Sequence, residues 1–136
     1  MLKNLDKYLT DVETKGTTTI QNIKIVEKAL EISLPLDFKL FLEKYNGAEG
    51  GIGENSYIQI WSAEDIVKRN KRLDVNEFAP GLVLIGSDGG GTAYAYDTRD
   101  GSMPIVEIPF IPMRLKEVKI CAKDLAGFFE YLYNQK

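Results

Sequence analysis

Residues 85–97 read IGSDGGGTAYAYD, and the fold depends on the residues that come after the glycines. A dinucleotide-binding loop has G-x-G-x-x-G at a strand-to-helix junction. Here the spacing is G-x-x-G-G-G, and the next residues alternate small with aromatic, as a strand does. No G-K-[ST] is present, so the stretch is not a P-loop. With no helix N-terminus behind it, the loop lacks the aligned amides that hold a phosphate. We therefore read it as a tight turn between two antiparallel strands, LVLIGS (82–87) and TAYAYD (92–97), with Asp88 capping the turn through its own carboxylate. Tyr94 and Tyr96, two residues apart, share one sheet face; Ala93, Ala95 and Asp97 share the other. The tyrosine face fits two roles, core or partner-binding surface.

Working outward, period-two patterning continues after the DTRDG turn (97–101) into MPIVEI (103–108). Pro104 places that strand at an edge or delays its start. PFIPM (109–113) reads as an extended loop and LKEVKI (115–120) as a short last strand. Upstream, YIQIW (57–61) alternates like a strand, and GAEGGIGEN (47–55) reads as a flexible glycine-rich loop.

Helices flank these strands. Leu2, Leu5, Leu9 and Val12 recur at helical spacing, which predicts a short N-terminal amphipathic helix. Thr18 or Thr19 is positioned to cap a second helix whose inner face carries Ile23, Val26 and Leu30. In ISLPLDFKLFLEKYNG (32–47), Pro35 suits a first turn. Phe38, Phe41, Leu42 and Tyr45 form the core stripe, and Asn46-Gly47 the left-handed stop. Ser62 with Asp65 opens a further helix that ends in KRNKR (68–72). A closing helix over 122–135 directs Leu125, Phe128, Phe129 and Leu132 inward. Helices first, a strand meander next and a helix last predict an α+β fold with an antiparallel sheet. At 136 residues the chain is expected to form one domain, residues 1–136.

Composition excludes several chemistries. There is no histidine, so Ser-His-Asp and Cys-His catalysis and imidazole ligation are absent. The lone Cys121 allows neither an intrachain disulfide nor a Cys-rich zinc site, which fits a reducing cytoplasm. A calcium loop needs ligands at alternating positions, but three glycines come directly after Asp88. Asp88 and Asp97 as an acid/base pair lack any sign of burial and are read as turn residues. KRNKR gathers cations at a helix C-terminus and lacks the interleaved aromatics of a nucleic-acid site. Residues 1–16 lack a leader-like apolar segment, and no run approaches membrane-spanning length. The expectation is a chain with no catalytic residues, metal or cofactor, and with neither nucleic acid nor membrane as partner.

The distribution of charge is more informative than its net value of −3. Residues 47–66 hold Glu49, Glu54, Glu64 and Asp65 with no Lys or Arg. Residues 73–98 hold Asp74, Glu77, Asp88 and Asp97, again with no base. Tyr57, Trp61, Tyr94 and Tyr96 fall in the same windows. Clustered acids steer a basic partner, and exposed Tyr or Trp anchor interfaces. The aromatics are equally suited to core or cross-strand pairing. The candidate partner-binding residues are therefore Glu49, Glu54, Tyr57, Trp61, Asp88, Tyr94, Tyr96 and Asp97.

LPLDFKLFLEKYNG (34–47), YIQIW-SAEDIV (57–67), LVLIGSDGGGTAYAYD (82–97) and DLAGFFEYL (124–132), in that order, resemble the SUKH superfamily. That group includes a fungal cell-wall-assembly regulator and many bacterial immunity proteins. The positions that carry the resemblance are Leu34, Pro35, Phe38, Asn46, Gly47, Trp61, Gly86, Asp88, Gly89, Gly90 and Asp97. It implies an α+β domain that is a binding protein and not an enzyme: a bacterial immunity protein that binds and neutralises a basic toxin domain, often a nuclease. The alternative reading is a small-ligand or regulatory binding domain with GSDGGG as its contact loop.

Overall fold

The computed structural model describes residues 3–135. A seven-stranded sheet runs in chain order, β1 (Val12–Thr14), β2 (Ala48–Ile52), β3 (Ser56–Ile60), β4 (Leu82–Ser87), β5 (Thr92–Asp97), β6 (Ile105–Pro109) and β7 (Lys119–Ala122). Every neighbouring pair is antiparallel. The helices are α1 (Ile20–Leu30), α2 (Leu36–Tyr45), α3 (Ala63–Arg72), the single turn α4 (Val75–Phe78) and α5 (Leu125–Tyr133). The fold is α+β, as the order of elements predicts.

Two expectations in the first half of the chain are corrected. Only Lys3–Tyr8 is helical, as a 3-10 turn, and Val12 lies instead in β1. Leu2 of that pattern lies outside the described residues. The glycine-rich stretch 47–55 is not a loop throughout: it contains β2, which pairs with β1 on one side and β3 on the other. Its glycines permit close strand approach. At Gly50, φ is +155°, and a Cβ would stand 2.5 Å from the Asp11 carbonyl oxygen.

The helix signals lie where the residues place them. Thr19 Oγ1 accepts from the Asn22 amide at 3.1 Å, and Ser62 Oγ from the Asp65 amide at 3.2 Å. Asn46 ends α2 in the left-handed region, and its side chain accepts from the Ala63 amide at 2.9 Å, tying the end of α2 to the start of α3. Pro104 precedes β6, so the strand starts late; it is not at an edge, because β7 flanks it.

Helices α2 and α5 cover one sheet face. Phe38 of α2 meets Tyr96 edge-on at 5.4 Å, and Phe128 of α5 meets Tyr94 at 4.9 Å. Tyr94 and Tyr96 are therefore core residues. Their alternate partners Ala93 and Ala95 are also buried, and Met113, from the segment ahead of the 3-10 turn Leu115–Glu117, joins the same core cluster. All six residues of β4 are buried.

The β3–β4 pairing is brief, holding only at Gln59–Ser87 and Ile60–Gly86. Beyond it, α3 takes the vacated place. Asn70 accepts from the Leu84 N–H at 2.9 Å and donates to the Leu84 carbonyl at 2.8 Å. One buried amide thus satisfies both backbone groups that a neighbouring strand would otherwise pair.

Candidate functional site

Strands alternate, so β2 and β3 present opposite faces to different surroundings. Ala48, Ile52, Ile58 and Ile60 are buried, and α5 packs against both strands. On the other face stand Glu49, Tyr57 and Gln59, with Glu13 opposite Glu49 on β1. Tyr57 is 42% exposed. The Tyr57 hydroxyl donates to Glu49 Oε2, and Gln59 Nε2 donates to the same oxygen at 3.2 Å. Ser87 Oγ donates to Gln59 Oε1 at 3.1 Å and accepts from the Gly89 amide at 3.1 Å. A polar ladder thus crosses from β2 to the β4–β5 turn. These bonds, Tyr57 foremost and then Gln59, hold the Glu49 carboxyl below its ordinary range, so it stays charged.

The β4–β5 turn is built as its residues suggest. Asp88 Oδ1 accepts from the Gly90 amide at 2.8 Å and the Thr92 amide at 3.2 Å, while Gly89 takes φ +83°. The Gly89 backbone lies against the Tyr57 ring, with only 3.0 Å from its Cβ position to the ring edge.

Beside this turn, a cleft of about 350 Å³ lies between the start of β3, the β4–β5 turn, β6 and the end of α5. Tyr57, Asp88, Tyr94, Glu107 and Tyr131 line it, and among the described residues no Lys or Arg does. Tyr131 donates to Glu107 Oε1 at 2.9 Å, and the Cys121 thiol lies 3.7 Å from the same oxygen. Burial, and next the Glu107 charge, push the Cys121 thiol up to about 12, so it is a poor nucleophile. Burial and then the Asp88 and Glu107 carboxylates raise the Tyr94 phenol, which stays protonated.

The structure distributes the eight sequence candidates unevenly. Glu49 and Tyr57 form the ladder, and Tyr57, Asp88 and Tyr94 line the cleft. Glu54 is exposed in the β2–β3 turn. Trp61 is 5% exposed beneath the Arg69 guanidinium, which lies 5.0 Å from its ring centre. Tyr96 is 1% exposed and has no hydrogen-bond partner for its hydroxyl among the described residues. Asp97 is held by Arg99 at 2.8 Å. It opens the β5–β6 loop at the other end of β5 from the β4–β5 turn. Sequence reasoning does not single out Glu13, Gln59, Glu107 or Tyr131. Glu107 is visible as the only charge in MPIVEI, but its facing partners come from β7 and α5. Among the described residues, no group of three or more potential ligands gathers to hold a metal, and no helix is long and apolar enough to cross a membrane.

Comparison with known proteins adds a family. The model of the SMI1 / KNR4 family (SUKH-1) matches residues 17–131, from before α1 to within α5. A Bacillus subtilis (strain 168) protein, described as "Uncharacterized protein YnaB", is 37% identical over 84 residues. The match covers 62% of this chain and 53% of that protein, so the chain spans about half the length of the curated relative it matches.

Proposed function

The chain belongs to the SMI1 / KNR4 family (SUKH-1), and we propose that it is a protein-binding module of the immunity type, which binds and neutralises a basic toxin domain. One observation carries the reading beyond family membership. The sheet face of β1–β3 away from α5 is acidic and carries a half-exposed tyrosine fixed by hydrogen bonds. Fixing Tyr57 and Glu49 in advance lowers the entropy lost when a partner docks. Acids that form no ion pair among the described residues, such as Glu13 and Glu49, attract a basic partner and speed its encounter. Catalysis is not part of the proposal. The half-buried Cys121 thiol is held protonated, and the chain has no histidine.

The action we propose is occlusion: the acidic face covers the cationic surface with which a nuclease-like toxin grips its substrate. Co-expression tests it. Cells making the product of the adjoining gene should survive when this chain is present, and the two proteins should co-purify. Failure of both protection and co-purification sinks the reading. The small-ligand alternative rests on GSDGGG as a contact loop, but the Ser87 and Asp88 side chains already occupy the Gly89 and Gly90 amides of that loop.

A further inference from the structure

The cleft beside the β4–β5 turn has a chemistry of its own. Tyr94 is only 6% exposed, yet its hydroxyl makes no hydrogen bond among the described residues. Unlike the Tyr96 hydroxyl, which is sealed in the core, the Tyr94 hydroxyl keeps contact with solvent through the cleft. Its ring is fixed edge-on against Phe128, and the residue lines the cleft. Asp88 spends Oδ1 on the turn, and Glu107 spends Oε1 on Tyr131 and Cys121. Asp88 Oδ2 and Glu107 Oε2 have no hydrogen-bond partner among the described residues. Lys119 stands opposite Glu107 in the β6–β7 register but forms no ion pair with it. The cleft therefore offers two carboxylate oxygens and a phenol oxygen with no cation in its described lining.

We propose that this cleft is an anchor pocket for a single basic side chain, lysine or arginine, of the protein partner. The site suits a compact donor. An ammonium or guanidinium presents several N–H groups to the two carboxylates and the phenol oxygen, and its methylenes lie along the half-buried Tyr131 ring. A cation at an aromatic wall also gains from the ring face. A neutral or anionic group would leave both carboxylates uncompensated on losing water. The proposal rests on the partner-binding reading, since it names the chemistry that reading would use. It adds a pocket contributed by β6 and α5 to the open face of β1–β3.

The test uses the intact, isotope-labelled protein, titrated with a capped Gly-Arg-Gly peptide and with its citrulline counterpart, a neutral isostere. The arginine peptide should shift the backbone amides of Asp88, Thr92, Tyr94 and Glu107 in a saturable way, and the citrulline peptide should not. Glu107→Gln keeps an acceptor for Tyr131, and Tyr94→Phe keeps the ring on Phe128, so both should melt near the parent. Each should weaken the arginine peptide about tenfold. Equal shifts from both peptides, shifts confined to other surfaces, or unchanged affinity in the folded variants would overturn the pocket. Capture of the adjoining gene's product separates the two ideas. If both variants capture it as well as the parent, the pocket fails and the binding reading stands. If the parent captures nothing yet shows the arginine-selective shifts, the pocket stands and the toxin reading fails.

Discussion

Tyr94 and Tyr96 show how much alternation can say about a residue. It places both on one face, and it is silent on what covers that face. The covering comes from Phe38 and Phe128, distant in the chain on either side, in helices whose docking no local pattern encodes. Tyr96→Ala should lower stability by about 3–5 kcal/mol, as for other large aromatic truncations. Tyr96→Phe should do the opposite of harm. It removes a buried hydroxyl that has no partner among the described residues, so chemical denaturation should show equal or greater stability. Asn70 is harder to read. Within KRNKR it looks like one more polar residue in a cationic helix end, yet it closes the backbone of Leu84. Asn70→Ala strands two buried groups and should cost about 2–4 kcal/mol, measured by urea titration. Asp97 carries a pH signature. The Arg99 side chain holds its carboxyl below the ordinary 3.8, so its stabilisation is full above that value and fades as pH falls through the lowered folded value. Asp97→Asn should lower the melting temperature modestly at neutral pH and flatten its pH dependence below about pH 4, so that variant and parent converge in acid.

Elements with their own caps are legible in the sequence, and those without are not. Helix α2 announces itself through Pro35, an apolar stripe and Asn46-Gly47, and α1 and α3 through Thr19 and Ser62. Strand β2 announces nothing, because AEGGI has few side chains to alternate and glycine disfavours strands in isolation. It forms because two neighbours pair with it and Gly50 lets β1 approach. The apolar spacing of Leu5, Leu9 and Val12 spans a 3-10 turn and a strand, which a helical period cannot distinguish from one helix. Gly50→Val should strip β1 from the sheet. Hydrogen exchange should then accelerate at Val12 and Thr14, with the β4–β5 amides still protected. Uniform acceleration across all strands would mean that β1 is not a separable edge.

At the scale of the molecule, the sheet is covered unevenly. Helices α2 and α5 close one face, while on the other the acids of β1–β3 face solvent next to a cleft whose described lining holds no cation. The acid-only windows in the sequence hint at this, but only the folded sheet separates Glu49 in β2 and Asp88 in the β4–β5 turn from Asp97 at the far end of β5. Whether that face is the docking surface is read most directly by calorimetric titration of the chain with the product of the adjoining gene. The titration should be run at low and high salt, with the parent and with Glu49→Lys. Binding should be one-to-one, weaken about tenfold or more with the charge reversal and fall as salt rises. Absence of binding, or binding indifferent to both salt and Glu49→Lys, would rule out an acidic docking face.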